Sequence, residues 1–246
     1  AISWYERAAR QAQTTYAHTV AANYYQHALE LVNNQGQQVP IAQQCSLLSG
    51  LGISLRLQAR YTEATGIFHT LLTLAQSVGD VFRQVEAYDN LARIHERYGE
   101  YQQALYLAEQ METLAHQSDT LTQAQLAAVL YRRGWTLYRL GEMEQALTIG
   151  HQCFTLCQNS DDLLMKSQSR NLIGVAYVAL GRFDLAEPYI EQALEFRRQI
   201  GNRSSTASML NNLGETARLQ GNYEKAVPLL EEALAMAQEI GNRAGV

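Results

Sequence analysis

The chain has 246 residues, 47% of them hydrophobic, with only 3 prolines and 16 glycines: enough apolar mass for a packed core, and few enough breakers for long helices. Its net charge is −5, and Lys166 and Lys225 are its only lysines, which argues against a nucleic-acid partner, because phosphate binding draws on clustered cations. No run approaches the ~20 apolar residues of a membrane span, no signal-peptide pattern opens the chain, and Cys45, Cys153 and Cys157 are too few for a disulfide framework, so the expectation is a cytoplasmic protein with no membrane partner.

The chain repeats itself. The first copy is the weakest, with Ala9, Tyr16, Ala21 and Ala28 at its marker positions. The second, GLGISLRLQARYTEATGIFHTL, puts Gly52, Ala59, Ala64 and Leu71 in the same columns. The third, NLARIHERYGEYQQALYLAEQM, supplies Ala92, Gly99, Ala104 and Met111. The fourth, YRRGWTLYRLGEMEQALTIGHQC, supplies Gly134, Gly141, Ala146 and Cys153. The last two copies agree most closely: Gly174 with Gly214, Gly181 with Gly221, Ala186 with Ala226, Pro188 with Pro228 and Ala193 with Ala233, every offset being 40. Self-similarity at such a period signals a stacked helical array. Six copies cover essentially the whole chain, so residues 1–246 are expected to form a single array.

Each copy reads as two helices. The first ends near a glycine such as Gly141, Gly181 or Gly221, which tolerates the left-handed C-terminal position. The second begins at an aromatic, as in Tyr101, Phe183 and Tyr223, and ends at Gly79, Gly201 or Gly241. Asp80, Asn202 and Asn242 then suit a turn or the next helix cap. Small residues fill one column of the first helix (Gly52, Ala92, Gly134, Gly174, Gly214) and one of the second (Ala64, Ala104, Ala146, Ala186, Ala226). Large residues surround them, as close helix pairing requires. Pro188 and Pro228 fall inside second helices in register and read as a repeated kink.

No catalytic constellation appears. The six histidines are dispersed over four repeats, and no metalloprotease, phosphate-loop, nucleophile-elbow or dinucleotide motif is present. Cys153 and Cys157 share a helix face near His151, but a metal needs more ligands, so they read as small core residues. No catalytic residue, metal or cofactor is expected.

The order small residue, glycine turn, aromatic, alanine, alanine resembles the tetratricopeptide repeat family, in units several residues longer than its common length of about 34. The longer form is similar to repeats of cytoskeletal adaptors and of the C-terminal arrays of bacterial signalling ATPases, cyclases and regulators. The opening WYERAARQAQTTYAHTVAANYYQHALEL is similar to the segment that starts such arrays after an ATPase module. The resemblance implies an all-α, right-handed superhelical solenoid of about six antiparallel helix pairs. It implies a protein or peptide partner in a concave groove lined by first helices. A sensor or docking array of a larger intracellular signalling protein is the leading reading; a free-standing peptide-binding adaptor and a structural spacer or oligomerisation element are the alternatives.

Tyr131, Trp135 and Tyr138 lie at i, i+4 and i+7, along one helix face. Their columns hold Asp89, Arg93 and Glu96 one copy earlier and Asn211, Glu215 and Arg218 in the last copy. Columns that accept charges in some copies favour a partner-facing stripe over a core stripe, though inner faces of tight arrays are partly buried. Asn90, Asn212 and Arg132 share a column where, in peptide-binding members of the family, an asparagine often grips ligand backbone; a solvated polar face is the alternative. The candidate partner-binding residues are therefore Asn90, Arg93, Tyr131, Arg132, Trp135, Tyr138, Arg139, Asn212 and Arg218. Arg133 departs from its column, which holds leucine or isoleucine elsewhere; it either snorkels or pairs with a carboxylate. Finally, EIGNRAGV at 239–246 copies QIGNRSST at 199–206. The expectation is a fragment of a longer chain with an apolar C-terminal face drawn from Leu230, Leu234 and Ile240, open to self-association.

Overall fold

The computed structural model describes residues 1–34, 39–118 and 120–244, with side chains to residue 241. Among these residues there are twelve helices and no strand. The chain divides into two compact units, Ala1–Leu121 and Thr122–Val246. Unit 1 holds α1 (Ile2–Thr14), α2 (His18–Asn34), α3 (Ile41–Leu57), α4 (Tyr61–Ser77), α5 (Val81–Tyr98) and α6 (Tyr101–His116). Unit 2 holds α7 (Gln123–Leu140), α8 (Met143–Cys157), α9 (Leu163–Ala179), α10 (Phe183–Ile200), α11 (Arg203–Leu219) and α12 (Tyr223–Ala244). Odd- and even-numbered helices are the first and second helices of the repeats.

Each first helix packs on its own second helix, and each second helix on the first helix that follows it in the same unit. First helices also touch one another, α1 with α3, α3 with α5, α7 with α9 and α9 with α11. Among the described residues the backbones of successive second helices stay apart, and where those helices meet they do so through long side chains, as Tyr189 of α10 does with His151 and Phe154 of α8. Every repeat is thus tight on its first-helix side and splayed on its second-helix side.

The tight pairing depends on the small-residue columns. A Cβ built on Gly214 in α11 would lie 2.7 Å from Leu230 Cγ in α12. On Gly174 in α9 it would collide with Ile190 of α10, the residue one repeat earlier in the same column. Ala64, Ala104, Ala146 and Ala186 are fully buried on the opposing helices. The large side chains beside them form the core. In unit 1, Leu47, Phe68, Leu71, Leu91 and Ile94 are almost wholly buried. In unit 2, Ile190, Leu194, Met209, Leu210 and Leu213 join α10 to α11. Each such side chain contributes roughly 1.5–3 kcal/mol on burial.

Helix ends follow the sequence in most places. Asp80, Asp162 and Asn202 each accept the backbone N–H three residues on, at 3.0, 2.9 and 3.0 Å. Thr122 and Gln125 form a reciprocal capping box at the start of α7. Gly141 closes α7 at φ 88°, the left-handed region. The first two copies lack that glycine, and Tyr16 and Ala59 occupy the same conformation, each at φ 59°. The expected stop at Gly241 does not occur: α12 runs on to Ala244. Glycine permits the left-handed turn without imposing it; at Gly201 the turn is accompanied by the Asn202 cap, whereas the side chain of Asn242 lies outside the described residues. The helices α10 and α12 continue through Pro188 and Pro228.

On α12 and α11, Leu230, Ala233, Leu234 and Ile240 line an apolar groove of about 640 Å³ with Ala207 and Asn211. The expected apolar face on α12 is therefore present. Among the described residues no helix is long and apolar enough to cross a membrane.

Ala59 gives a direct check on the turn chemistry. Holding an L-residue left-handed costs ~1–2 kcal/mol, while glycine loses up to ~1 kcal/mol more backbone entropy on folding. Ala59→Gly is therefore expected to stabilise the protein by roughly 0.5–1 kcal/mol in urea titration; a loss of stability would show that the alanine methyl has a packing role.

Candidate functional site

The aromatic stripe runs along α7. Tyr131 and Trp135 are stacked, with centroids 6.2 Å apart and planes at 28°. Trp135 and Tyr138 follow at 5.4 Å and 34°. All three are half-buried. Tyr131 rests on an apolar cluster of Ala127, Cys153, Cys157 and Met165, so the stack has a fixed base and carries its remaining surface outward. Ring stacking along a helix adds to area burial and restricts rotamers, which lowers the entropy lost when a partner binds.

Neighbouring first helices continue the same columns. On α9 they hold Asn171, which is buried, and Val175 and Val178, both half-buried. On α11 they hold Asn211, Glu215 and Arg218, with Arg218 Nε donating to Glu215 at 2.8 Å. Asn212 donates from Nδ2 to Asn171 Oδ1 at 3.1 Å, a rung between α11 and α9. The face thus grades from aromatic through aliphatic to polar and charged.

The other expected residues are placed differently. Arg139 is exposed in the last turn of α7. Arg132 is only 3% exposed, and its carbonyl accepts the Thr136 hydroxyl at 3.0 Å. Asn90 and Arg93 belong to α5 of unit 1. Asn90 is buried, accepting from Arg56 Nε at 3.0 Å and donating to the Glu86 carbonyl at 2.8 Å. Arg93 Nε donates to Asp89 at 2.7 Å. Of the nine, Tyr131, Arg132, Trp135, Tyr138 and Arg139 lie on α7 and Asn212 and Arg218 on α11, all first helices of unit 2, with Arg132 buried among them.

One residue was not singled out from the sequence. Arg197, in the last turn of α10, is 9% exposed, and its Nε is buried without an acceptor among the described residues. Burial pulls its pKa down, and the Tyr131 phenol acts in the opposite direction. The column is otherwise small or apolar: Val32, Ala75, Ala115, Cys157 and Ala237. An arginine in that column was the available signal.

The cysteines are all buried. The Cys153 thiol is pushed up by its hydrogen bond with Cys157 and by burial. The Cys157 thiol is pulled down by that bond, by Ser169 and by Arg170, against the effect of burial. Among the described residues no three His, Cys, Asp or Glu side chains gather as metal ligands.

Comparison with known proteins agrees with this architecture. The tetratricopeptide repeat profile matches residues 43–115, 125–199 and 167–239. No curated protein sequence matches significantly. Among solved structures, BtubC (BKLC) from P. vanneervenii is similar at a TM-score of 0.67 and 17% identity, over 98% of this chain and 91% of that one. The apo form of RapI is similar at 0.77 and 13%, over 98% and 84%. Aspartyl phosphate phosphatase F from Bacillus subtilis is similar at 0.77 and 13%, over 96% of this chain and 60% of that one. At these identities the likeness is one of fold.

A buried arginine with an unmet donor burdens the fold, because desolvating it is not fully offset. Arg197→Met keeps the stem and removes the charge. It is expected to leave stability unchanged or raise it by ~1 kcal/mol in thermal denaturation; a loss of ~3–5 kcal/mol would mean that the guanidinium is well paired in the fold.

Proposed function

The chain belongs to the tetratricopeptide repeat family, and on that premise we propose that it is a protein-interaction module whose first-helix face in unit 2 holds a partner segment. The segment it suits carries a carboxylate and an aromatic or leucine side chain. The single observation that carries this reading is the Tyr131–Trp135–Tyr138 stack with the buried Arg197 in electrostatic reach of its Tyr131 end. Tyrosine, tryptophan and arginine dominate binding hot spots because they present large area at low entropic cost. A ligand carboxylate bound at the Tyr131 end would lie in the positive field of Arg197, in a water-poor site where charges are weakly screened. Arg139 and Arg218, on exposed turns of the same helix row, would steer an acidic segment in.

The role is binding rather than catalysis. The long repeat form, similar to the arrays of signalling regulators, supports a sensor or docking array of a larger intracellular signalling protein. A free-standing adaptor would use the same face.

The test uses acidic peptides selected on the protein by display, then titrated one by one. Trp135→Ala is expected to weaken a selected peptide by ~2 kcal/mol or more, roughly 30-fold. Its cost in folding stability should stay below the ~3–5 kcal/mol of an emptied core aromatic site. Unchanged affinity together with severe destabilisation would mean that the stripe is core and the binding face lies elsewhere.

A further inference from the structure

On the second-helix side of unit 1 an apolar cleft of about 780 Å³ opens between α2 and α4. Its floor is Leu48, Leu51 and Leu55 of α3, and its walls are Leu29 of α2 and Ile67 and Leu74 of α4. The floor is buried and the walls are half-buried. A concave apolar site of several hundred cubic ångströms is a common ligand geometry.

The repeat register shows what such a cleft takes when it is filled. In unit 2 the corresponding space lies between α8 and α10 over α9. There Leu29 is replaced by Phe154, Leu48 by Arg170, Leu55 by Tyr177, Ile67 by Tyr189 and Leu74 by Phe196. These side chains close the space from within. Arg170 lies between two rings, its Cζ 4.5 Å from the Phe154 centroid and 4.9 Å from that of Phe196, and its Nε donates to Gln192 at 2.9 Å. Tyr189 meets Tyr177 and His151, each at 5.9 Å. The aromatic–guanidinium filling that unit 2 builds from its own chain has no counterpart among the side chains lining the unit 1 cleft.

The charge on the cleft lips matches that filling. Glu30 stands on α2, and Glu63 and Arg60 on α4. Arg60 holds Glu63 bidentately at 2.7 and 2.6 Å. Glu30 has only the exposed His27 ring at 3.2 Å among the described residues, so one carboxylate exceeds the guanidinium charge at the lips.

We propose that this cleft docks a partner peptide carrying two aromatic side chains on either side of an arginine. The rings would cover Leu48, Leu51 and Leu55, and the guanidinium would lie between them and reach Glu30. It is a second interaction surface, bordered by second helices where the α7 stripe lies on a first helix, and of opposite charge preference.

The probe is a fluorescein-labelled Ala/Gln helical peptide with Phe, Arg and Phe at i, i+4 and i+8, which places them on one face. Saturable binding by anisotropy is expected. Filling the cleft with the unit 2 side chains, Ile67→Tyr with Leu74→Phe, should weaken it roughly tenfold or more. Glu30→Gln, at an exposed position that leaves the fold intact, should weaken it roughly threefold and have no effect on a peptide with norleucine for arginine. Trp135→Ala should leave it unchanged, separating this site from the α7 face. No saturable binding, or binding indifferent to both cleft-filling and Glu30→Gln, would overturn the proposal. So would occupation of the cleft by a small apolar dye that the peptide fails to displace.

Discussion

The close approach of first and second helix at the small-residue crossing is the constraint on which the rest depends. Where α9 meets α10 and α11 meets α12, a glycine faces the branch of an isoleucine or leucine with no room for one more carbon. Dispersion energy at such a contact falls off steeply with separation. Widening the crossing would loosen the flanking layers, including Met209, Leu210 and Leu213 against Ile190 and Leu194. The same crossing, repeated, sets the spacing of first helices and brings α7, α9 and α11 side by side.

Tight first helices and splayed second helices give the molecule two kinds of surface. First-helix columns lie next to each other, so residues far apart in sequence form one graded face. Second helices leave clefts that must be closed by large side chains or by something else. Unit 2 closes one with Phe154, Arg170, Tyr177, Tyr189 and Phe196, whereas unit 1 lines the same positions with aliphatics and leaves it open. Surface ion pairs between repeats, such as Arg182 with Glu144 at 2.8 Å and Arg198 with Glu232 at 3.2 Å, follow the repeat spacing but contribute little each. Apolar packing carries the stability.

Much of this is legible in the sequence because a repeat states its own columns. The paired helices, the small crossings, the caps at Asp80 and Asn202 and the apolar face on α12 all follow from residues in register. What the columns do not state lies in departures from a column or in comparisons between columns. Arg197 breaks a small-residue column, yet its burial within electrostatic reach of Tyr131 depends on how α7 and α10 lie in space. The unit 1 cleft is a deficit of volume at Leu29, Leu48, Leu55, Ile67 and Leu74, and only packed helices show that no neighbour makes it up. Asn90 reads as a ligand-facing amide in sequence, while in the fold both ends of that amide are engaged by Arg56 and Glu86. The α12 terminus ran past Gly241 because a glycine fixes a turn only when its surroundings ask for one.

Stability in a repeat array is assembled from these crossings between neighbours. Ala186, fully buried on α10 beside Gly174, tests it most directly. Ala186→Leu overpacks one crossing and should cost ~1–3 kcal/mol. Amide hydrogen exchange on that variant should show protection falling in α9 and α10, less in their neighbours α8 and α11, and hardly at all in α1 to α4. Equal loss of protection across all twelve helices would show one cooperative unit in place of a chain of neighbouring crossings.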